Sequence, residues 1–132
     1  MRSAFKAVFT SAIIAAVVHT FMCWIGYLFL ALGFEESPLK PFGWTIFNLI
    51  MQTLLFLVVG IVYVWAYDNI PGKGVLKGLI FGLIFYYITA LFTAVYMAIG
   101  YGNIPYALGF GVSGLYTCIP FGLAIGYLYK KE

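Results

Sequence analysis

Apolar residues run through this chain in three stretches without a single Asp, Glu, Lys or Arg: residues 7–34, 41–67 and 78–129. The last is interrupted near its middle by Gly100-Tyr101-Gly102-Asn103-Ile104-Pro105. A helix needs about 20 apolar residues to cross the hydrocarbon core of a bilayer. The pattern therefore predicts four spans, at about 7–33, 42–67, 75–99 and 106–129. The segments between them are short and carry helix-stopping residues: Pro38 and Pro41 in the first, Asn69-Ile70-Pro71 in the second, Asn103-Ile104-Pro105 in the third. Asn69 is expected to take the left-handed turn that ends a helix, with Pro71 opening the next segment. Short connections turn each helix back against its predecessor. The predicted fold is all-α: one transmembrane domain over residues 1–132, an integral membrane up-down bundle of four transmembrane helices.

Charge orients the bundle. Arg2 and Lys6 precede the first span, Lys73 and Lys77 lie around the second turn, and Lys130 and Lys131 follow the fourth span. Only Lys40, beside Glu35 and Glu36, belongs to the opposite set of loops. The positive-inside rule then predicts that the N-terminus and the C-terminus are both cytoplasmic, in a multi-pass protein of the cell's inner (plasma) membrane. Aromatic residues are expected to mark the two interfaces, with Tyr63, Trp65, Tyr67, Tyr127 and Tyr129 on the basic side and Trp44, Tyr101 and Tyr106 on the other. Composition agrees: hydrophobic residues make up 64% and charged residues 8%, against about 25% charged in soluble domains. No basic cluster exceeds two neighbours, so nucleic acid is not an expected partner. The first apolar stretch is far longer than the about 7–15 residues of a signal-peptide core and reads as a retained span.

Small residues have a helical spacing of their own. Gly74, Gly78 and Gly82 recur every fourth position in the third span, and Gly122 and Gly126 do so in the fourth. Ala4, Ala7, Ser11 and Ala15 give the first span a similar face. In lipid such faces let helix backbones approach closely, so these glycines are candidate helix-packing positions, within the bundle or against a partner. Pro120 lies deep in the fourth span and leaves the Tyr116 carbonyl without its usual donor. It predicts a kink, with Thr117 or another hydroxyl supplying the missing hydrogen bond.

Polar residues collect at one depth. At roughly 1.5 Å per residue, His19 lies about 18 Å into the first span, near the midplane. Gln52, with Asn48 one turn away, reaches a similar depth in the second span, Tyr86 and Thr89 in the third, and Tyr116 and Cys118 in the fourth. These seven residues form the candidate binding layer. The layer reads either as a hydrogen-bonded network joining the helices or as a site for a small polar molecule, a quinone or a lipid headgroup. His19 and Cys23, four residues apart on one face, with Met51, Met97 and Cys118 elsewhere in the spans, are the residues a soft metal would need, but one such pair is not a ligand set. No catalytic motif appears, and Glu35 and Glu36 are adjacent in a loop and unsuited to paired acid–base work. No cofactor, metal or catalytic residue is expected.

With so little chain outside the membrane, the sequence points to a small non-catalytic protein. The expectation is a structural or accessory subunit of a membrane complex or homo-oligomer, in contact with the lipid bilayer and with other membrane subunits or itself through its glycine-rich faces. Two alternatives remain. One is a channel or facilitator that passes a small neutral or anionic solute through the midplane layer. The other is a quinone-, haem- or metal-binding membrane subunit.

Overall fold

The computed structural model of the chain describes residues 2–31, 42–102 and 104–130. The predicted outer loop 34–41, Asn103 and Lys131 lie outside these residues, as do the side chains of Trp44, Met97, Tyr101 and Tyr106. Among the described residues every element is helical: α1 (Arg2–Ala31), α2 (Phe42–Ala66), a 3-10 turn (Tyr67–Asn69), α3 (Gly74–Tyr86), a π-turn (Tyr87–Leu91), α4 (Phe92–Tyr101) and α5 (Ile104–Leu128). The segment α3, π-turn and α4 runs on as the third span. Four helices, Ser3–Ile25, Thr45–Asn69, Gly74–Gly100 and Ala107–Leu128, are thus long and apolar enough to cross a membrane. This is a multi-pass helical membrane protein.

Residue size decides which helices touch. On α1 the small residues Ala7, Ser11, Ala12, Ala15 and Ala16 are buried, while Phe5, Phe9, Val17 and Phe21 point outward. That inverts the pattern of a soluble helix and suits lipid, where close backbone approach holds helices together. α1 packs against α2 on one side and α5 on the other. Where it crosses α2, a Cβ on Gly60 would lie 2.5 Å from the Val8 side chain. α5 also packs along α3 and α4. The order around the bundle is therefore α2, α1, α5 and the third span. The chain's second and third spans stand at the open side, joined by side chains such as Phe56 with Phe85 (ring centroids 6.3 Å apart) and Tyr63 with Phe81 (5.1 Å).

The glycine stripes of α3 and α5 face each other. A Cβ on Gly78 would strike the Gly122 carbonyl oxygen, one on Gly82 would lie 2.5 Å from the Cys118 carbonyl oxygen, and one on Gly126 would lie 2.8 Å from the Gly74 carbonyl oxygen. At each position the obstacle is backbone, which cannot rotate out of the way. Gly74 differs from its neighbours: a Cβ there meets nothing within 4 Å, and its φ of +51° is what calls for glycine.

Three expectations change. Asn69 is not left-handed, since no non-glycine residue described has positive φ; it closes a 3-10 turn, and Gly72 and Gly74 take the positive φ values. Tyr63 and Tyr129 do not line the membrane interface. Tyr63 is 0% exposed and Tyr129 is buried, and both stack edge-on with Tyr67, at 5.6 and 4.9 Å between centroids. Trp65 at 85% and Tyr127 at 70% exposure remain as outward aromatics. The Thr117 hydroxyl does not serve the Tyr116 carbonyl; it donates to the Ser113 carbonyl at 2.7 Å. α5 itself continues through Pro120 as one helix.

The aromatic cluster also explains Lys77, a cation buried in the first turns of α3. Its ammonium donates to the Tyr67 carbonyl at 2.7 Å and lies 4.0 Å from the centre of the Tyr67 ring. That carbonyl belongs to the end of the second span, where unpaired carbonyls and the helix dipole favour a cation. The Tyr63 hydroxyl, by contrast, is buried without a partner among the described residues. Removing an unsatisfied buried hydroxyl relieves its desolvation cost. Tyr63→Phe is therefore expected to leave thermal stability in detergent unchanged or raise it, and a clear drop in melting temperature would show that the hydroxyl is bonded.

Candidate functional site

The site forms where α1, α2 and α5 converge on one side chain. His19 projects from α1 toward α5, where its Nδ1 lies 2.8 Å from Thr117 Oγ1. Its Nε2 lies 3.3 Å from Gln52 Nε2 on α2 and 3.4 Å from Cys23 Sγ one turn along α1. The direction of each bond follows from the last link. The single hydroxyl proton of Thr117 goes to the Ser113 carbonyl, so Thr117 accepts from the imidazole and Nδ1 carries the ring proton. In the neutral ring Nε2 is then the acceptor, its single lone pair shared between the Gln52 amide N–H and the Cys23 S–H. The network assigns one tautomer of a neutral histidine.

Tyr116 closes the far side of this hub. Its ring centroid is 6.1 Å from that of His19, and its hydroxyl is in hydrogen-bonding contact with the side chains of Cys23 and Ser113. Asn48 donates to Thr20 at 3.1 Å and Trp24 to Thr45 at 3.2 Å, which extends the polar contacts between α1 and α2. Polar side chains in a bilayer favour such interhelical bonds because lipid offers them no partner.

On its other side the hub borders a cleft of about 430 Å³ between α2 and the third span. His19, Gln52, Thr117, Cys118 and Ser113 lie at its inner end, with Thr89 and Thr93 along the third span. Phe56 and Phe85 supply apolar wall, and Leu55, 49% exposed, stands at the mouth. Leu55 and Thr89 are exposed along its edge, both in the middle of their spans, so the cleft opens sideways on the bundle rather than at either end. Its position follows from packing: small residues close the α1–α5 and α3–α5 contacts, whereas bulky rings hold α2 off the third span. The π-turn adds to this. One extra residue per turn interrupts the regular helical register at Tyr87–Leu91, and such turns recur at functional sites. Within it Ala90 lies against Gly114 of α5, where a Cβ on the glycine would strike the Ala90 side chain.

Of the seven residues expected in the layer, His19, Gln52, Thr89 and Cys118 line this cleft. Asn48 and Tyr116 belong to the network behind it. Tyr86 does not join them; it lines a separate apolar hollow between α4 and α5 with Leu91, Ala94 and Leu115. Thr93 and Ser113 line the cleft from outside the expected layer, and their signal was spacing, four residues from Thr89 and from Thr117 respectively. Met51 is exposed on the outer face of α2, so it does not point toward His19 and Cys23. Among the described residues no group of three His, Cys, Asp or Glu side chains is placed to share a metal ion.

Fold and site together define a class: a four-span helical membrane protein with an uncharged polar hub at the base of a lateral cleft. No family model, curated protein or solved structure matches the chain.

Proposed function

We propose that the protein is a non-catalytic binding protein of the cell's inner (plasma) membrane, with both termini cytoplasmic, that holds a lipid-soluble small molecule between α2 and the third span. The observation that carries this reading is the lateral cleft. Its volume of about 430 Å³ falls within the about 300–1,000 Å³ typical of small-molecule sites, which combine apolar walls with a few convergent polar groups. Its mouth is on the lipid side, so a ligand dissolved in the bilayer enters without crossing water. No charged side chain is among its lining residues, which favours an uncharged ligand.

Native mass spectrometry of protein extracted gently from its own membrane tests the reading. The expected spectrum carries a small-molecule adduct that Leu55→Trp, which narrows the mouth, removes while the fold persists. A bare chain in both variants would overturn it.

A second reading, a structural or accessory subunit of a membrane complex or homo-oligomer, is favoured by a different observation. α2 packs mainly on α1, and its outward face presents Phe47, Ile50, Leu54, Val58, Ile61 and Trp65, all exposed. In this reading α2 provides the docking face, because the glycine stripes of α3 and α5 are already covered by each other. Foreign subunits or a second copy in the same spectrum would favour it.

A further inference from the structure

We infer that the cleft selects a neutral lipid-soluble alcohol, a molecule with an apolar body and a hydroxyl head that donates a hydrogen bond. The inference rests on the binding reading above and names the ligand's chemistry. The hydrogen-bond capacity left free in the cleft carries it.

Three threonines line the cleft, and each has used its only hydroxyl proton. Thr89 donates to the Phe85 carbonyl at 2.7 Å, Thr93 to the Thr89 carbonyl at 2.6 Å, and Thr117 to the Ser113 carbonyl at 2.7 Å. What Thr89 and Thr93 still offer is a lone pair. Thr117 is also engaged as the acceptor from His19. The imidazole has nothing further to donate, because its one ring proton points at Thr117. Gln52 donates one amide hydrogen to His19, and its carbonyl oxygen is an acceptor outside that bond.

The Ser113 side chain is engaged with Tyr116. The donors left in the wall are therefore the second Gln52 amide hydrogen and the weakly donating Cys118 thiol, against the free lone pairs of Thr89, Thr93 and the Gln52 carbonyl. A ligand whose head only accepts, such as a ketone or an ether, can take the second Gln52 amide hydrogen but leaves the Thr89 and Thr93 lone pairs without a donor. A carboxylate or phosphate also finds no cation among the lining residues. A hydroxyl supplies the missing proton to Thr89, Thr93 or Gln52, and its own oxygen can take the second Gln52 amide hydrogen. An ammonium head would donate as well, but a charge in an uncharged site inside the bilayer is costly. The surplus acceptors favour the uncharged donor.

The test uses tritiated farnesol with the full chain in phosphatidylcholine nanodiscs. Competition is measured with unlabelled farnesol, its methyl ether and its aldehyde, which share the chain and differ in the head. Farnesol is expected to displace the label at concentrations about tenfold below the ether and the aldehyde, a difference of about 1.4 kcal/mol. Thr89→Val with Thr93→Val should narrow that ratio to about threefold or less. Equal competition by alcohol, ether and aldehyde overturns the donor-head inference and leaves the cleft reading standing. Label retained equally by wild type, Leu55→Trp and empty nanodiscs overturns the cleft reading itself. Displacement by dioctanoylglycerol identifies a membrane glyceride as the source of the hydroxyl. Displacement by farnesol alone identifies a free lipid-soluble alcohol. Either supports the inference.

Discussion

Gly78→Ala is expected to destabilise the bundle by about 3 kcal/mol, the upper part of the range for overpacked positions. The reason is the nature of the obstacle. A Cβ at this position runs into the Gly122 carbonyl oxygen and lies 2.6 Å from Gly126 Cα, so only a shift of one whole helix against the other makes room. Separation also gives up close contacts along the α3–α5 crossing, where Gly82 and Gly126 likewise leave no room for a Cβ. Lipid supplies no hydrophobic drive to restore them. Gly122→Ala should behave alike, and the double variant should cost less than the sum, because helices already separated no longer clash at the second site. Gly109→Ala is the control: its Cβ meets nothing within 4 Å, and alanine has the better helix propensity. Melting can be followed in detergent by a thiol-reactive dye, which gains access to buried Cys118 as the bundle opens. If Gly78→Ala and Gly109→Ala melt together with the wild type, the crossing is not as close as the structure has it.

The same glycines show how much of the fold the sequence carried. Four membrane-spanning helices follow from hydropathy, and the four-residue spacing singles out Gly78, Gly82, Gly122 and Gly126, which meet at the α3–α5 crossing, because each signal depends on residues close together in the chain. Helix order does not. That α2 and the third span stand apart depends on what faces what, and only tertiary placement sets Phe56 against Phe85 and Tyr63 against Phe81. Tyr63 is an instructive case. Its position near the end of a span is that of an interfacial tyrosine, yet it turns inward and fills the core. The π-turn had no local signal either, since Tyr87–Leu91 contains neither glycine nor proline.

For the site, depth along each helix was legible and direction around it was not. His19 and Gln52 lie at similar depths by counting residues, and they do meet. Tyr86 shares that depth and faces α5 from the other side of the third span. A count along the chain gives height above the membrane surface; the angle about each helix axis requires knowing its neighbours. Thr93 and Ser113 show the remaining signal, since hydroxyls four residues apart repeat on one face.

His19→Leu is expected to cost about 2 kcal/mol, from three lost hydrogen bonds at about 0.6 kcal/mol each in a membrane setting. It is also expected to weaken alcohol binding, because Gln52 loses the partner that fixes its amide. The sharper experiment concerns where the ring proton sits. The chain has one histidine, so nitrogen NMR of protein labelled at histidine reports this ring alone. The spectrum should show a protonated Nδ1 and a bare Nε2, as the Thr117–Ser113 bond requires. Thr117→Val removes both the acceptor for Nδ1 and the reason for that tautomer. The ring is then expected to move its proton to Nε2, with the Gln52 amide turning to present its carbonyl oxygen. In that arrangement Gln52 no longer offers the cleft its lone pairs, so the same substitution should also reduce the preference for farnesol over its methyl ether. A wild-type ring already protonated at Nε2 would reverse every bond in the hub and remove the basis for an acceptor-lined cleft at Gln52. An unchanged tautomer in Thr117→Val would show that Gln52 and Cys23, rather than Thr117, set the ring's proton.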